Sequence, residues 1–330
     1  MKNILLIGLV ALMTSLFVQA SEAVTESVVG KKPQVNASWG TFYSYSYRHL
    51  LGTSEKFGVP EKLDVDLQLL GLSYEFKNNY SLRWTHSYVK NAILLKFGPT
   101  KILGKTEGLG DTYVGLHKKY QIHSGGQLEL AAQMSLPSGD FKQSTSQGRL
   151  ISYPGQLGSG TYDFVPKLAY KFKSGSNTLN ITTQAKFRTG RNDIGYRLGN
   201  EFRGNVSYDY WVFKGLAVNA GFSYKTWQSV VGVDKVDSYN TANKKAAPPS
   251  SHGGGHQPSS THGPRAIPPD PFADAGSRWS ANLAVKAAMF VGAGKGGIFE
   301  VGRPVYSEQA GSLEGLSSDW YARAQLVLSF

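Results

Sequence analysis

Three histidines, His252, His256 and His262, stand four and six residues apart in a stretch otherwise built of Pro, Gly, Ser, Thr and Gln. Imidazole nitrogens in that number are a donor set for Zn²⁺, Cu²⁺ or Ni²⁺. The stretch carries no hydrophobic residue that could pack, so its composition gives a metal no fixed scaffold. Hydrolysis finds even less to work with. His86 and Ser87 are neighbours in sequence, so in a strand they face opposite ways and cannot form a nucleophile–base pair. There is no G-x-S-x-G elbow, and neither an active site nor a cofactor is expected.

The third chemistry is electrostatic. Arg83, Lys119, Lys167, Lys171, Lys186, Arg188, Arg203, Lys225, Lys286 and Arg323 recur on one parity of alternating segments. Asp111, Glu129, Asp163, Glu201, Asp209 and Glu300 share that parity. Lining a bore with low-dielectric walls, such cations focus a field that favours anionic solutes. Crossed into ion pairs, the same residues would simply fill a narrow barrel. The sequence leaves both readings open.

What must position these residues is a set of strands. The last ten residues put Phe330, Leu328, Leu326, Ala324 and Ala322 on one face, with Trp320 just before them. Ser329, Gln325, Arg323 and Asp319 take the other face, broken only by Val327 and Tyr321. A half-greasy terminal strand that ends on an aromatic is how outer-membrane barrels finish, which makes Phe330 the expected signal to the barrel-assembly machinery. Turn signals and period-two runs predict twelve strands, at 37–48, 63–76, 79–89, 108–122, 126–138, 160–173, 177–189, 201–213, 216–229, 277–291, 296–307 and 317–330. Tight joins, such as Asn78-Asn79 and Lys214-Gly215, alternate with long ones at 49–62, 90–107, 139–159, 190–200, 230–276 and 308–316. Short turns at one end, long loops at the other and an even strand count describe an all-β transmembrane antiparallel barrel with both termini in the periplasm.

A charge at the bilayer midplane costs roughly 2–4 kcal/mol, so the ionic faces must line the lumen. Three places resist this scheme. Strand two runs Leu63, Val65, Leu67, Leu69 and then Leu70, Leu72, Tyr74, Phe76, which predicts a bulge near Leu69. His86 and Lys118 fall on the lipid-facing parity.

Residues 1–20 pair Lys2 with an apolar run from Ile4 to Phe17, the pattern of a secretory signal peptide. Residues 21–36 then form a short periplasmic segment, and 37–330 the barrel, with 230–276 a flexible His/Pro/Gly-rich extracellular loop. The mean hydropathy of −0.27 does not oppose a membrane location, because a barrel averages an apolar outside with a polar inside. With no cysteine there is neither a disulfide nor a thiolate metal site. The net charge of +12 is spread without a compact basic motif, so nucleic acid is not an expected partner.

Gly108-Leu109-Gly110-Asp111-Thr112-Tyr113-Val114-Gly115-Leu116, Leu136-Pro137-Ser138-Gly139-Asp140, Gly158-Ser159-Gly160-Thr161-Tyr162-Asp163 and Arg303-Pro304-Val305-Tyr306 form an ordered series of motifs. Together they resemble the outer-membrane family of meta-pathway phenol degradation proteins, often simply called transporters, over roughly Gly108 to Phe330. The resemblance implies a β-barrel admitting small, often aromatic or hydrophobic, solutes. Read from their chemistry, these motifs are devices for bending strands and placing loops rather than solute ligands.

The combined expectation is a monomeric twelve-stranded barrel in the bacterial outer membrane, in contact with lipid, that passes a small aromatic, hydrophobic or anionic solute. Its mouth is formed by 139–159 and 230–276, with Tyr153, Tyr162 and Trp227 as first contacts. The competing expectation is a closed barrel that serves as a surface scaffold or captures metal through its His loop.

Overall fold

The structure is a computed structural model that describes residues 38–52, 60–97, 100–144, 150–151, 153–243, 274–292, 295–311 and 316–329. Thirteen strands form one antiparallel sheet: β1 (Ser38–Gly52), β2 (Pro60–Glu75), β3 (Tyr80–Phe97), β4 (Thr100–Leu109), β5 (Thr112–His123), β6 (Gly126–Leu136), β7 (Tyr162–Ser174), β8 (Asn177–Thr189), β9 (Glu201–Phe213), β10 (Leu216–Trp227), β11 (Gly276–Gly292), β12 (Lys295–Gly311) and β13 (Leu316–Ser329). Apart from β4 and β5, each strand pairs with the next in sequence, and β1 pairs with β13 from Gly40↔Ser329 to Gly52↔Leu316, which closes the barrel. β4 pairs with β3 from Tyr88 to Phe97, and β5 pairs with β3 from Tyr80 to Thr85. These two strands therefore share one position, and the barrel has twelve staves. Closure leaves no sheet edge to hydrogen-bond in lipid, where nothing else could satisfy it.

Alternation sorts the side chains as the chemistry requires. Leu72, Leu82, Leu116, Leu168, Val206, Val218 and Leu283 are exposed on the outer face, while His117, Ser135, Asp163, Asp209 and Asn219 are buried on the inner one. The short turns are built as their residues dictate. Asn78 and Asn79 both take positive φ (65° and 62°), which the short polar Asn side chain tolerates better than most.

The strands run further than the sequence implies. The expected long loop at 90–107 is strand, because β3 continues to Phe97 and β4 starts at Thr100. β2 has no bulge near Leu69, since its register with β1 is continuous from Glu75 to Lys62. Its apolar parity switches instead. Leu70 and Leu72 face outward, while Leu63 is buried on the inner side, where Leu50, Val65, Ile151 and Tyr153 pack against it. On the outer face beyond Leu70 the strands carry polar groups, with Tyr45 donating to Asp66 at 2.5 Å and Tyr47 to Asp64 at 2.8 Å. The lipid-facing band ends there, and on the inner side part of the continuing wall packs against the chain between β6 and β7.

The two outward polar residues find local solutions. Lys118 reaches the Asn78 carbonyl at 2.6 Å and lies 3.7 Å from the Tyr80 ring centre, snorkelling to the short-turn end. His86 stacks on Trp84 and bonds the Thr112 hydroxyl at 2.6 Å. The connection after β10 is more ordered than its composition implies, since Val233–Ala242 form a helix, α1. His252, His256 and His262, residues 1–20 and 21–36, and Phe330 lie outside the described residues.

Candidate functional site

The inner wall carries a layered ion network. Near the short-turn end Arg83 grips Glu129 with both terminal nitrogens, at 3.1 and 2.9 Å. His117 adds an Nδ1 contact to Glu129 at 3.0 Å, and Lys167 stands 3.9 Å away. Lys119 meets Glu75 at 2.8 Å. On the opposite wall Lys286 bridges Asp209 (2.5 Å) and Glu300 (3.7 Å), and Glu300 also faces Arg323 at 3.9 Å.

The upper layer centres on Arg188, whose side chain is 4% exposed. Its Nη1 donates to Asp163 at 2.5 Å and its Nη2 to Glu201 at 2.9 Å. Asp163, fully buried, also accepts from Thr161 Oγ1 at 2.8 Å and faces Lys186 at 3.9 Å. Glu201 is further shared with Arg203 (2.9 Å) and Lys225 (3.2 Å). Arg188, held by two carboxylates, is a fixed structural cation.

Glu129, Asp163, Glu201 and Glu300 thus serve two or three cations each, and the surplus is positive. Arg48 and Arg278, which the parity list omitted, also point inward. Arg48 sits beside Tyr321 in register, and Arg278 beside Lys225, itself paired with Arg203. Arg48 lies within electrostatic range of Arg203, Arg278 and Arg323. Neither Arg48 nor Arg278 has a carboxylate at ion-pair distance among the described residues, and the same holds for Lys171. Arg203 and Arg323 each keep 50% of their side-chain surface accessible although both face inward.

Above this belt, the chain between β6 and β7 folds back onto the inner wall. Thr106 of β4 donates to the Gly155 carbonyl at 2.8 Å, Tyr153 packs on the Leu50–Leu63 core, and its ring meets that of Tyr196 at 5.3 Å. Asn240 of α1 accepts the Leu150 N–H at 2.8 Å, so the two long connections meet at the mouth. One carboxylate ties this loop to the wall at the break between β4 and β5. Asp111 accepts the Gly139 N–H (3.1 Å), the Ser159 N–H (2.9 Å) and the Ser159 hydroxyl (2.8 Å). Gly158 must be glycine for this closure, because a Cβ there would lie 2.3 Å from the Gly139 carbonyl oxygen.

The expected site residues divide by place. Arg83, Lys119, Lys167, Lys186, Arg188, Arg203, Lys225 and Arg323 all join the inner network. Trp227 stands on the inner parity at the mouth, its Nε1 donating to the Asp274 carbonyl at 3.1 Å. Tyr153 is a packing residue of the mouth loop. Tyr162 does not belong with them. Next to inward Asp163, it faces outward and is exposed, which fits the outer aromatic belt and not a solute path. Asp111, grouped with the lumen acids by parity, is instead the buried clasp of the mouth loop.

The three motifs Gly108–Leu116, Leu136–Asp140 and Gly158–Asp163 meet in that clasp. A family model described as "Putative MetA-pathway of phenol degradation" matches residues 30–247. The chain belongs to this family. The match begins earlier than the motif series, taking in β1 to β3, and ends before β11, where the motif resemblance continued to Phe330. In this phenol-degradation family member the three motifs build the junction between strand wall and mouth loop. The crystal structure of an outer membrane channel from Pseudomonas putida F1 superposes with a TM-score of 0.58, covering 92% of this chain and 100% of that one at 14% identity. A KdgM porin (TM-score 0.37, 12% identity, 86% and 98% covered) and a Pseudomonas aeruginosa FadL homologue (TM-score 0.34, 11% identity, 89% of each) align more loosely. Curated protein sequences gave no match. The closed barrel places this family member in the bacterial outer membrane.

Proposed function

We propose that this protein is an outer-membrane channel through which a small anionic solute crosses passively. The observation that carries the proposal is the surplus of inward cations, above all Arg48 and Arg278 without carboxylate partners beside the half-exposed Arg203 and Arg323. Fixed charge on a low-dielectric wall raises the local concentration of counter-ions and the barrier to ions of like charge. On this reading the chain is exported by a signal at 1–20, its long connections face outside, and both termini stay in the periplasm. The mouth loop narrows the entrance, and the arginine belt beneath it selects.

Substitution of both Arg48 and Arg278 by Gln is the test, since neither holds a carboxylate whose loss would unbalance the barrel. In planar bilayers under a salt gradient the double variant should shift the zero-current potential toward zero while its channels keep their step size. An unchanged potential would mean that the belt does not select.

A further inference from the structure

We infer that Tyr113, Gln184 and Arg203 form a subsite on the bore wall for a single-ring arene carboxylate, an inference that rests on the anion-channel reading above. Between β5, β8 and β9 lies a recess in the wall lined by Tyr113, Gln184, Ala185, Lys186, Glu201 and Arg203.

Its polar groups are arranged for a carboxylate. Gln184 and Arg203 sit directly opposite one another in the β8–β9 register, which brings their side chains together on one face. Arg203 commits one terminal nitrogen, Nη2, to Glu201 and keeps half of its side chain accessible, which leaves donors of its planar fork for a second anion. The Gln184 amide has no hydrogen-bond partner among the described residues. Glu201 does not repel an incoming carboxylate, because Arg188, Arg203 and Lys225 already neutralise it.

The aromatic component comes from across the wall. Two strands, β6 and β7, separate β5 from β8, yet Lys186 Nζ donates to the Tyr113 hydroxyl at 2.6 Å and lies 5.0 Å from its ring centre. The lysine pins the phenol so that its ring forms one side of the recess. An arene carboxylate would place its ring against Tyr113 and its carboxylate between Gln184 and Arg203. An alkyl carboxylate would gain only the second contact, and a neutral phenol only the first.

Benzoate, acetate and phenol are the probes, applied to refolded full-length barrel in two assays: interruption of single-channel chloride current, and quenching of intrinsic fluorescence in detergent. Benzoate should interrupt the current at concentrations where acetate and phenol do not. Tyr113→Leu should weaken that block about tenfold, the loss of one aromatic contact, whereas Tyr113→Phe, which keeps the ring but loses the bond from Lys186, should weaken it less. Arg203→Lys should weaken it too, with the barrel's charge preserved. Equal block by acetate, or full benzoate block in Tyr113→Leu, would overturn the subsite. Quenching by benzoate that Tyr113→Leu abolishes, in a barrel that passes no current, would uphold the subsite and reject the channel.

Discussion

Arg188→Ala will cost the barrel about 3–5 kcal/mol of stability, the range for removing one partner from a buried charge pair. The loss is large because Arg188 is shared. Its departure strands Asp163, which is fully buried, and removes one of three cations from Glu201. Asp163 would retain only Thr161 and a distant Lys186. Arg188→Lys should recover little of this, since a point ammonium cannot span two carboxylates as the guanidinium fork does. Denaturant unfolding of protein folded in micelles or vesicles reads the effect. Asp163→Asn combined with Arg188→Ala should cost much less than the sum of the two single changes. A loss below about 1 kcal/mol for Arg188→Ala, the level of an exposed pair, would contradict the buried network.

The second large effect is expected at Asp111. Replacement by Ala leaves the Gly139 and Ser159 N–H groups and the Ser159 hydroxyl without an acceptor, at about 1–3 kcal/mol for each buried donor that water cannot reach. The strands below the clasp are held by their own ladders, so the change should act on the mouth loop first. Limited proteolysis should cut the chain between β6 and β7 in a variant whose barrel still resists unfolding by detergent. Single-channel steps should grow as the loop leaves the entrance. If Asp111→Ala opens the loop to protease without changing conductance, the loop is not the constriction.

The wall was legible in the sequence and the mouth was not, for a physical reason. Strand parity is a local, period-two signal, and it sorted Asp163 from Tyr162 and Lys167 from Leu168 without any knowledge of the neighbours. The same signal assigned most of the ion network before any distance was known. It broke down on β2, where Leu63, Val65 and Leu67 are apolar yet face inward. Above the lipid band the inner face packs against a folded loop, so the rule that apolar means lipid no longer holds. That exception also hid the length of β3 and β4, read as a loop because their outer face turns polar there.

Arg48 and Arg278 were within reach of the same reasoning. Arg278 shares its parity with Lys286, and Arg48 opposes the Tyr43, Tyr45 and Tyr47 stripe. Both sit near strand ends, where boundaries blur and a face is hard to assign. The clasp at Asp111 was beyond local pattern altogether. It joins residues 28 and 48 positions apart, and the sequence offered only three glycine-bearing motifs whose meeting in space is a tertiary fact. The motifs announced that something was built there, while their chemistry as a loop anchor needed the donor atoms.

The central claim is that the bore carries a net positive field that admits anions. The zero-current potential of refolded wild-type protein in a planar bilayer, under a steep KCl gradient, tests it most directly. A potential of the sign set by chloride, shrinking as bulk salt rises and screens the belt, is the predicted result. A potential set by potassium, or none at all across discrete open channels, would contradict it.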